Sequence, residues 1–369
     1  MKILLINHYA GSPNLGMEFR PYYVTKGWVK LGHEVLIVGG SYSHLRKVQP
    51  QSCEEMIDDV RYRWVKVNPY KGNGIGRIIS MFSFVTKLYC NYRRYLRNFK
   101  PDIVIASSTY PLDIYPAYRI ARHYHAKLIY EVHDLWPLSP MELGGYSKKH
   151  PFIRIMQKAE DDCYRYADAV VSMLPKAEEH MREHGLTRDK FHYVPNGIVL
   201  SDWNNPKGIP EEHGLLLSKL RAEGKFIVGF AGAHGIANSL YAVIDAVSSL
   251  TEQNVVLVLV GGGQEKENLI KYAHKKGVTN VYFLLPINKL AIPNLLKEMD
   301  VLYIGLQKQS LFRFGISPNK MFDYMMAAKP IIQAIDAGNN LVREADCGID
   351  VEPVSYTHLR AHETVLDLV

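Results

Sequence analysis

Cysteine is scarce in this chain and never paired in sequence. Cys53, Cys90, Cys163 and Cys347 lie far apart, with no CxxC spacing. This excludes a zinc ribbon and a disulfide framework, and fits thiols kept reduced in a cytoplasmic protein. Long apolar runs are also missing. The longest, residues 78–86, is bounded by Arg77 and Lys87 and falls short of the roughly 20 residues a membrane-spanning helix needs. Met1-Lys2 leads directly into the short run Ile3-Leu4-Leu5-Ile6, which does not read as a secretory leader.

The 369 residues, 47% hydrophobic and 22% charged, suit a soluble protein of two ordinary domains. Charge is distributed unevenly. Residues 1–200 carry 28 Lys and Arg against 19 Asp and Glu, whereas the remainder carries 16 against 18. An electropositive first half beside a near-neutral second half implies that the two bind different things.

Each half has the same rhythm. Short apolar runs at 3–6, 35–38, 103–106, 128–130, 169–172 and 191–194 alternate with helical patterns, the first over 22–31. After a polar stretch holding Pro206, Gly208 and Pro210, the rhythm restarts with runs at 226–230, 255–260, 281–284 and 301–305. Such alternation predicts an α/β fold: two Rossmann-like, doubly wound parallel sheets facing across a cleft. The first domain is expected over 1–200, a linker over 201–221 and the second domain over 222–353. Neither glycine loop of the first half is a dinucleotide fingerprint. Gly11 and Gly16 have four residues between them, and Val38 is followed by Gly39-Gly40 instead of an acid. No cofactor is expected.

The most informative segment is residues 313–330. Ser317 is a good helix cap and Pro318 suits a first helical position. A helix opening at Ser317-Pro318-Asn319-Lys320, just after the strand at 301–305, would point free N–H groups at an anion. Arg313 and Lys320 add positive charge, and Asp323 sits one turn on, where it could accept from vicinal hydroxyls. Diphosphate at the helix start with ribose at the acid is a coherent nucleotide site. The bland alternative is a capped helix packing Met321, Met325 and Met326 into a core.

These residues resemble the signature of family 4 retaining glycosyltransferases of the GT-B fold. They look most like the bacterial O-antigen and capsule branch, which includes N-acetyl-L-fucosaminyl transferases. The first 40 residues, with Gly32-His33-Glu34-Val35, the element Tyr130-Glu131-Val132-His133-Asp134-Leu135-Trp136-Pro137, and Val194-Pro195-Asn196-Gly197 carry the same resemblance. It implies transfer of a sugar from a UDP-linked nucleotide sugar, with an N-acetylated deoxyhexosamine as one candidate, to a polyprenyl-diphosphate-linked or glycan acceptor. Two departures stand out. The family's first acid is replaced by Gly315, and the loop Gly232-Ala233-His234-Gly235-Ile236-Ala237-Asn238 lacks the Arg and Lys that clamp the diphosphate in many relatives.

The chain has no Asp-x-Asp triplet to hold a metal, so stabilisation of the leaving diphosphate is expected from Arg313, Lys320 and the helix start. His133 and Asp134 are assigned to sugar and acceptor hydroxyls; the alternatives are a structural histidine and a helix cap. Gly11, Glu18 and Arg20 are candidates for the acceptor side. Gly235, Asn238, Gly263 and Leu285 complete the donor side. A UDP-sugar 2-epimerase of the same fold and a degenerate sugar-nucleotide-binding partner protein remain as alternative functions.

Residues 71–100 hold seven Lys and Arg and no acid, interleaved with six Phe and Tyr. This pattern predicts contact with an anionic membrane surface, and so a peripheral protein on the inner face of the cytoplasmic membrane. The alternative is a solvated helix with its aromatics in the core. No nucleic-acid recognition motif is present. The family resemblance ends near Val354, and residues 354–369 are expected to be a non-native tail on an incomplete second domain.

Overall fold

The computed structural model describes residues 1–72 and 74–353; the tail expected to be non-native lies outside them. The chain divides into two compact units, Met1–Pro195 and Asn196–Val369. No described helix is long and apolar enough to cross a membrane.

In the first unit the strands are β1 (Lys2–Ile6), β2 (Glu34–Gly40), β3 (Glu54–Ile57), β4 (Val60–Val65), β5 (Ile103–Ala106), β6 (Lys127–Val132), β7 (Ala169–Ser172) and β8 (Phe191–Tyr193). They lie in the order β3-β4-β2-β1-β5-β6-β7-β8, parallel except for the β3–β4 pair. That hairpin was not anticipated. Its run Glu-Glu-Met-Ile-Asp-Asp-Val is too charged to read as a strand, but Asp58 and Asp59 both adopt positive φ and close the turn. It brings Tyr62 and Trp64 into the core.

The second unit holds β9 (Phe226–Ala231), β10 (Val255–Val260), β11 (Val281–Leu284), β12 (Val301–Gly305), β13 (Ile331–Ala334) and β14 (Gly348–Asp350), all parallel, in the order β11-β10-β9-β12-β13-β14. Successive residues of β10 serve opposite faces. Val256, Val258 and Val260 pack with Leu295, Met321 and Tyr324, while Val255, Leu257 and Leu259 pack with Val243, Ile244 and Leu269. Burial on both faces explains why these strands read as continuous apolar runs. Each such side chain contributes roughly 1.5–3 kcal/mol.

The expected linker over 201–221 is different in the structure. It contains the helices Leu200–Asn204 and Glu211–Ala222, and the latter buries His213, Leu217 and Leu220. Leu217 and Leu220 belong to the core of the second unit, so an amphipathic spacing of three overrides the Pro- and Gly-containing approach to it.

In both sheets the chain winds outward one way and then the other from a central pair, β1/β5 and β9/β12. At such a switch point the following helices leave on opposite faces and a crevice opens at the strands' carboxyl ends.

Glycine is indispensable at one of these ends. A Cβ on Gly261, just past β10, would lie 1.9 Å from the carbonyl oxygen of Gly232. Gly277 also has positive φ, but a Cβ there meets nothing within 4 Å. Gly261→Ala should therefore destabilise the second unit by about 2 kcal/mol or more, while Gly277→Ala should cost about 1 kcal/mol. Equal losses in chaotrope-induced unfolding would contradict this packing.

Candidate functional site

In the second unit the loops leaving β9 and β10 lie directly on one another. The His234 amide donates to the Gly262 carbonyl at 2.8 Å and the Glu265 amide to the His234 carbonyl at 3.0 Å. A Cβ on Gly263 would stand 2.4 Å from the His234 oxygen. Gly263, expected beside a ligand, is thus required by its own protein neighbour. The His234 ring is fully buried with neither nitrogen hydrogen-bonded. Burial first, then the charges of Lys266 and Lys320, push its pKa down to about 4, so the ring is neutral at pH 7.

The segment 310–326 differs from its expected form at the start. Gly315 takes φ +98, and Asn339 braces Ile316 by accepting from its amide and donating to its carbonyl. The helix begins at Asn319, with Pro318 extended and no side-chain cap. Ser317 does not cap it: its hydroxyl accepts from the Asn196 amide at 2.8 Å and its carbonyl from Asn196 Nδ2 at 2.7 Å. A tertiary partner has outcompeted the local cap, so the helix starts one residue later than expected.

Lys320 lies one residue into that helix. Its ammonium donates to Asn238 Oδ1 at 2.5 Å and sits 4.4 Å from the centre of the Phe230 ring. Burial pushes its pKa down to about 8. Asn238 in turn donates to the Ala233 carbonyl, so the loop after β9 and the helix after β12 meet across the switch point. Asp323, buried one turn along, is ion-paired with Lys289. Arg313 is exposed, donating to the Ser310 carbonyl and lying over the Phe314 ring. Asn319 is exposed and Gly235 half-buried. The Leu285 carbonyl, expected to frame a base, accepts from His213 Nε2 at 2.8 Å.

The first unit holds a second polar cluster at its own switch point. Asn7, after β1, donates to the Ser107 carbonyl after β5 at 2.5 Å, and the His8 amide donates to Ser108 Oγ at 3.0 Å. The Ser107 hydroxyl donates to Glu131 Oε2 at 2.6 Å. His133 Nε2 lies 2.9 Å from Ser107 Oγ and 3.2 Å from Glu131 Oε2. Arg20 closes the cluster with Nε on Glu131 Oε1 at 3.0 Å, and its other nitrogens donate to the carbonyls of Val194 and Pro195.

Burial alone would raise the Glu131 pKa, but His133, Arg20 and Ser107 outweigh it and hold the carboxyl at about 2. Burial likewise opposes the His133 cation. The Glu131 hydrogen bond and charge, helped by Glu18, win and raise its pKa above 6.5.

This arrangement alters several expectations. Arg20, expected on an acceptor, braces the end of the first unit. Asp134, expected on a hydroxyl, accepts from the Leu135 amide and the Ser139 hydroxyl; it does not cap the helix Leu138–Gly144, whose N-cap position is Pro137 without a side-chain cap. Gly11 serves its own loop, where a Cβ would meet the Gly16 oxygen at 2.0 Å. Glu18 is half-buried near His133.

Comparison with known proteins decides the family. Residues 16–197 match the glycosyl transferase 4-like domain, and residues 217–360 match the glycosyl transferases group 1. The chain belongs to the glycosyltransferases of the GT-B fold. A Bacillus subtilis (strain 168) protein bearing the name teichuronic acid biosynthesis glycosyltransferase TuaH is 24% identical over 215 residues, 56% of this chain. The chain spans only 50% of the length of that relative.

Among solved structures, Anabaena HepE in complex with UDP and glucose is similar at TM-score 0.64 and 18% identity, over 97% of this chain and 88% of that one. Sucrose-phosphate synthase from Thermosynechococcus elongatus reaches TM-score 0.69 at 14% identity, over 99% and 90%.

Sequence reasoning missed the partners of the buried charges, Glu131, Ser107 and Lys289, and the buried, neutral ring of His234. Only Glu131 carried a signal, as an acid at the end of an otherwise apolar strand.

The Arg20–Glu131–His133 cluster has a measurable consequence. Arg20→Ala leaves Glu131 buried with one cation fewer and should cost about 3–5 kcal/mol of first-unit stability, read by chaotrope-induced unfolding. The His133 contribution is complete below pH 6.5 and lost as pH rises through its folded value. That of Glu131 is present above pH 4.5 and lost as pH falls toward 2. NMR of the His133 ring should place its midpoint above 6.5, and Glu131→Gln should bring it down. An unchanged midpoint would disprove the coupling.

Proposed function

We propose that this chain transfers a glycosyl group from a UDP-linked sugar to a lipid-linked or polysaccharide acceptor in cell-surface glycan synthesis. The observation that carries the proposal is Lys320, a largely desolvated ammonium with one neutral hydrogen-bond acceptor, at the switch point of the second sheet. A buried cation is costly unless an anion meets it. A diphosphate at the start of the helix Asn319–Met326 would recover that cost and take up the N–H groups there. Asp323 then receives the ribose hydroxyls once Lys289 turns outward, which its half-exposed side chain permits. The UDP held by HepE and the teichuronic acid named for the Bacillus relative support donor and pathway class.

In this reading the C1–oxygen bond to the diphosphate breaks with retention. The acceptor oxygen bonds to C1 from the same face, and its proton passes to the departing phosphate oxygen. No metal and no separate strong base are needed; Lys320 and the helix start stabilise the charge that develops on the leaving group. His133, whose cationic form Glu131 favours, holds a hydroxyl or phosphate of the acceptor side. The donor sugar, an N-acetylated deoxyhexosamine, has no carboxylate at Gly315 to hold it.

Membrane contact rests on the exposed Lys71, Arg93, Arg94, Arg97 and Lys100. The aromatics contribute less than their number implied, because Phe84, Tyr92 and Phe99 are buried in the core. This would keep the enzyme at the cytoplasmic membrane face.

Incubation with a panel of UDP-sugars and polyprenyl-linked acceptors in anionic vesicles should give a glycosylated lipid with retained anomeric configuration. Asp323→Ala and Lys320→Met should each lower kcat/KM by about a hundredfold, and Arg93→Glu/Arg94→Glu should slow only the vesicle-bound acceptor. Sugar interconversion without acceptor would identify a 2-epimerase instead. Donor binding without turnover would identify a binding partner, a reading that the Lys289–Asp323 pair and Gly315 favour.

The titration of Lys320 gives an independent check. UDP affinity should fall as pH rises through about 8, where the ammonium loses its proton. A pH-independent affinity between 7 and 9.5 would remove Lys320 from the site.

A further inference from the structure

Away from both switch points, the first unit gathers a set of ligand-type side chains between two helices. His180 and His184 are four residues apart on the helix Glu178–Glu183 and its C-terminal cap. That spacing puts both rings on one face, with centroids 4.7 Å apart. Gln157, Glu160 and Asp161 form the facing edge of the helix Pro151–Tyr166. One ligand atom from each of Glu160, His180 and His184 lies within 4.8 Å of the other two.

The bonding inside this group is peculiar. A single amide nitrogen, Gln157 Nε2, is surrounded by three acceptors: Glu160 Oε2 at 2.8 Å, Asp161 Oδ1 at 2.9 Å and His184 Nδ1 at 2.8 Å. An amide offers two hydrogens, so three acceptors on it are one too many. His180 Nε2 approaches the other Glu160 oxygen at 3.3 Å. Two carboxylates and an imidazole converging on one partial positive charge form the surroundings of a cation.

We propose that Glu160, His180 and His184, with water as fourth ligand, bind a divalent transition-metal ion of the Zn²⁺ class that clamps the two helices together. Imidazole pairs favour such ions over Mg²⁺ or Ca²⁺, which require all-oxygen shells. Zinc needs about 2.0–2.1 Å to imidazole nitrogen and about 2.0–2.2 Å to carboxylate oxygen. Gathering the three atoms to that radius requires closing the widest pair by up to about 1.5 Å, which Gln157 allows by swinging aside. Glu160 is buried and further fixed by the Tyr164 hydroxyl at 3.0 Å, so one ligand is already held in place. His184 and Asp161 also line a surface pocket beside Tyr164 and Lys190, which provides an entry path. The helix Glu178–Glu183 has only six residues, too few to be stable by itself, and it gains most from the clamp.

The test uses the untagged full-length chain, stripped with a chelator and titrated with Co²⁺ and then Zn²⁺. One equivalent of Co²⁺ should bind with the visible absorption of a four-coordinate ion, and Zn²⁺ should bleach it. Zn²⁺ at a hundredfold excess over its Kd should raise Tm by about 5–10 °C. His184→Ala, on the rim of the cluster, should weaken binding roughly a hundredfold, and His180→Ala likewise. Gln157→Ala should bind at least as tightly as the native chain, because it removes the competing amide. His123→Ala/His125→Ala should change nothing. Absence of saturable binding, or binding undiminished in His184→Ala, overturns the proposal. Should His180→Ala fail to fold, the His184→Ala and Gln157→Ala pair still decides it.

Discussion

Both units depend on one constraint: a parallel sheet covered on both faces must send its connections outward in two directions from a central pair of strands. At that pair no connection crosses the carboxyl ends of the strands, and backbone and side chains there are free to be used otherwise. In the first sheet the space beside β1 and β5 is bridged by Asn7 and Ser107, and in the second the space beside β9 and β12 by Asn238 and Lys320. The continuous apolar runs that make each sheet are therefore also what places polar groups at its one open end.

The two polar ends differ in how their charges are balanced. Glu131 is buried but receives a guanidinium, an imidazole ring and a hydroxyl, so its charge is compensated inside the protein. Losing any partner would leave a desolvated charge, which is why the cluster acts chiefly on stability. Lys320 has one neutral acceptor and an aromatic face, which compensate it only in part, and its pKa falls accordingly. The incompletely balanced charge is the better candidate for meeting a ligand. Asp323 stands between these cases, paired to a lysine that is half in solvent.

Backbone proximity explains glycines that ligand contact does not. Gly261 and Gly263 let the loop after β10 lie against Gly232 and His234, and Gly40 lets His8 pack where a Cβ would stand 2.4 Å from its ring. Gly39, which stands where an acid would have signalled a ribose, lies beneath Trp64 at similar range. Each is a steric requirement of the fold, including Gly263, expected on the donor side.

Periodicity was enough to place ten of the strands, their parallel sense and the division into two units, because buried parallel strands and amphipathic helices leave apolar spacings that survive without tertiary context. The motif around Lys320 and Asp323 was legible for the same local reason: helix start, cation and acid lie within seven residues. What tertiary structure decided were pairings across long sequence separations. Asn196 takes the hydroxyl of Ser317 and moves the helix start, Arg20 turns inward to Glu131, and Lys289 covers Asp323. Leu217 and Leu220 turn an expected linker into core. A hydrogen bond or ion pair of this kind depends on where two remote side chains come to lie, and no local spacing encodes that distance.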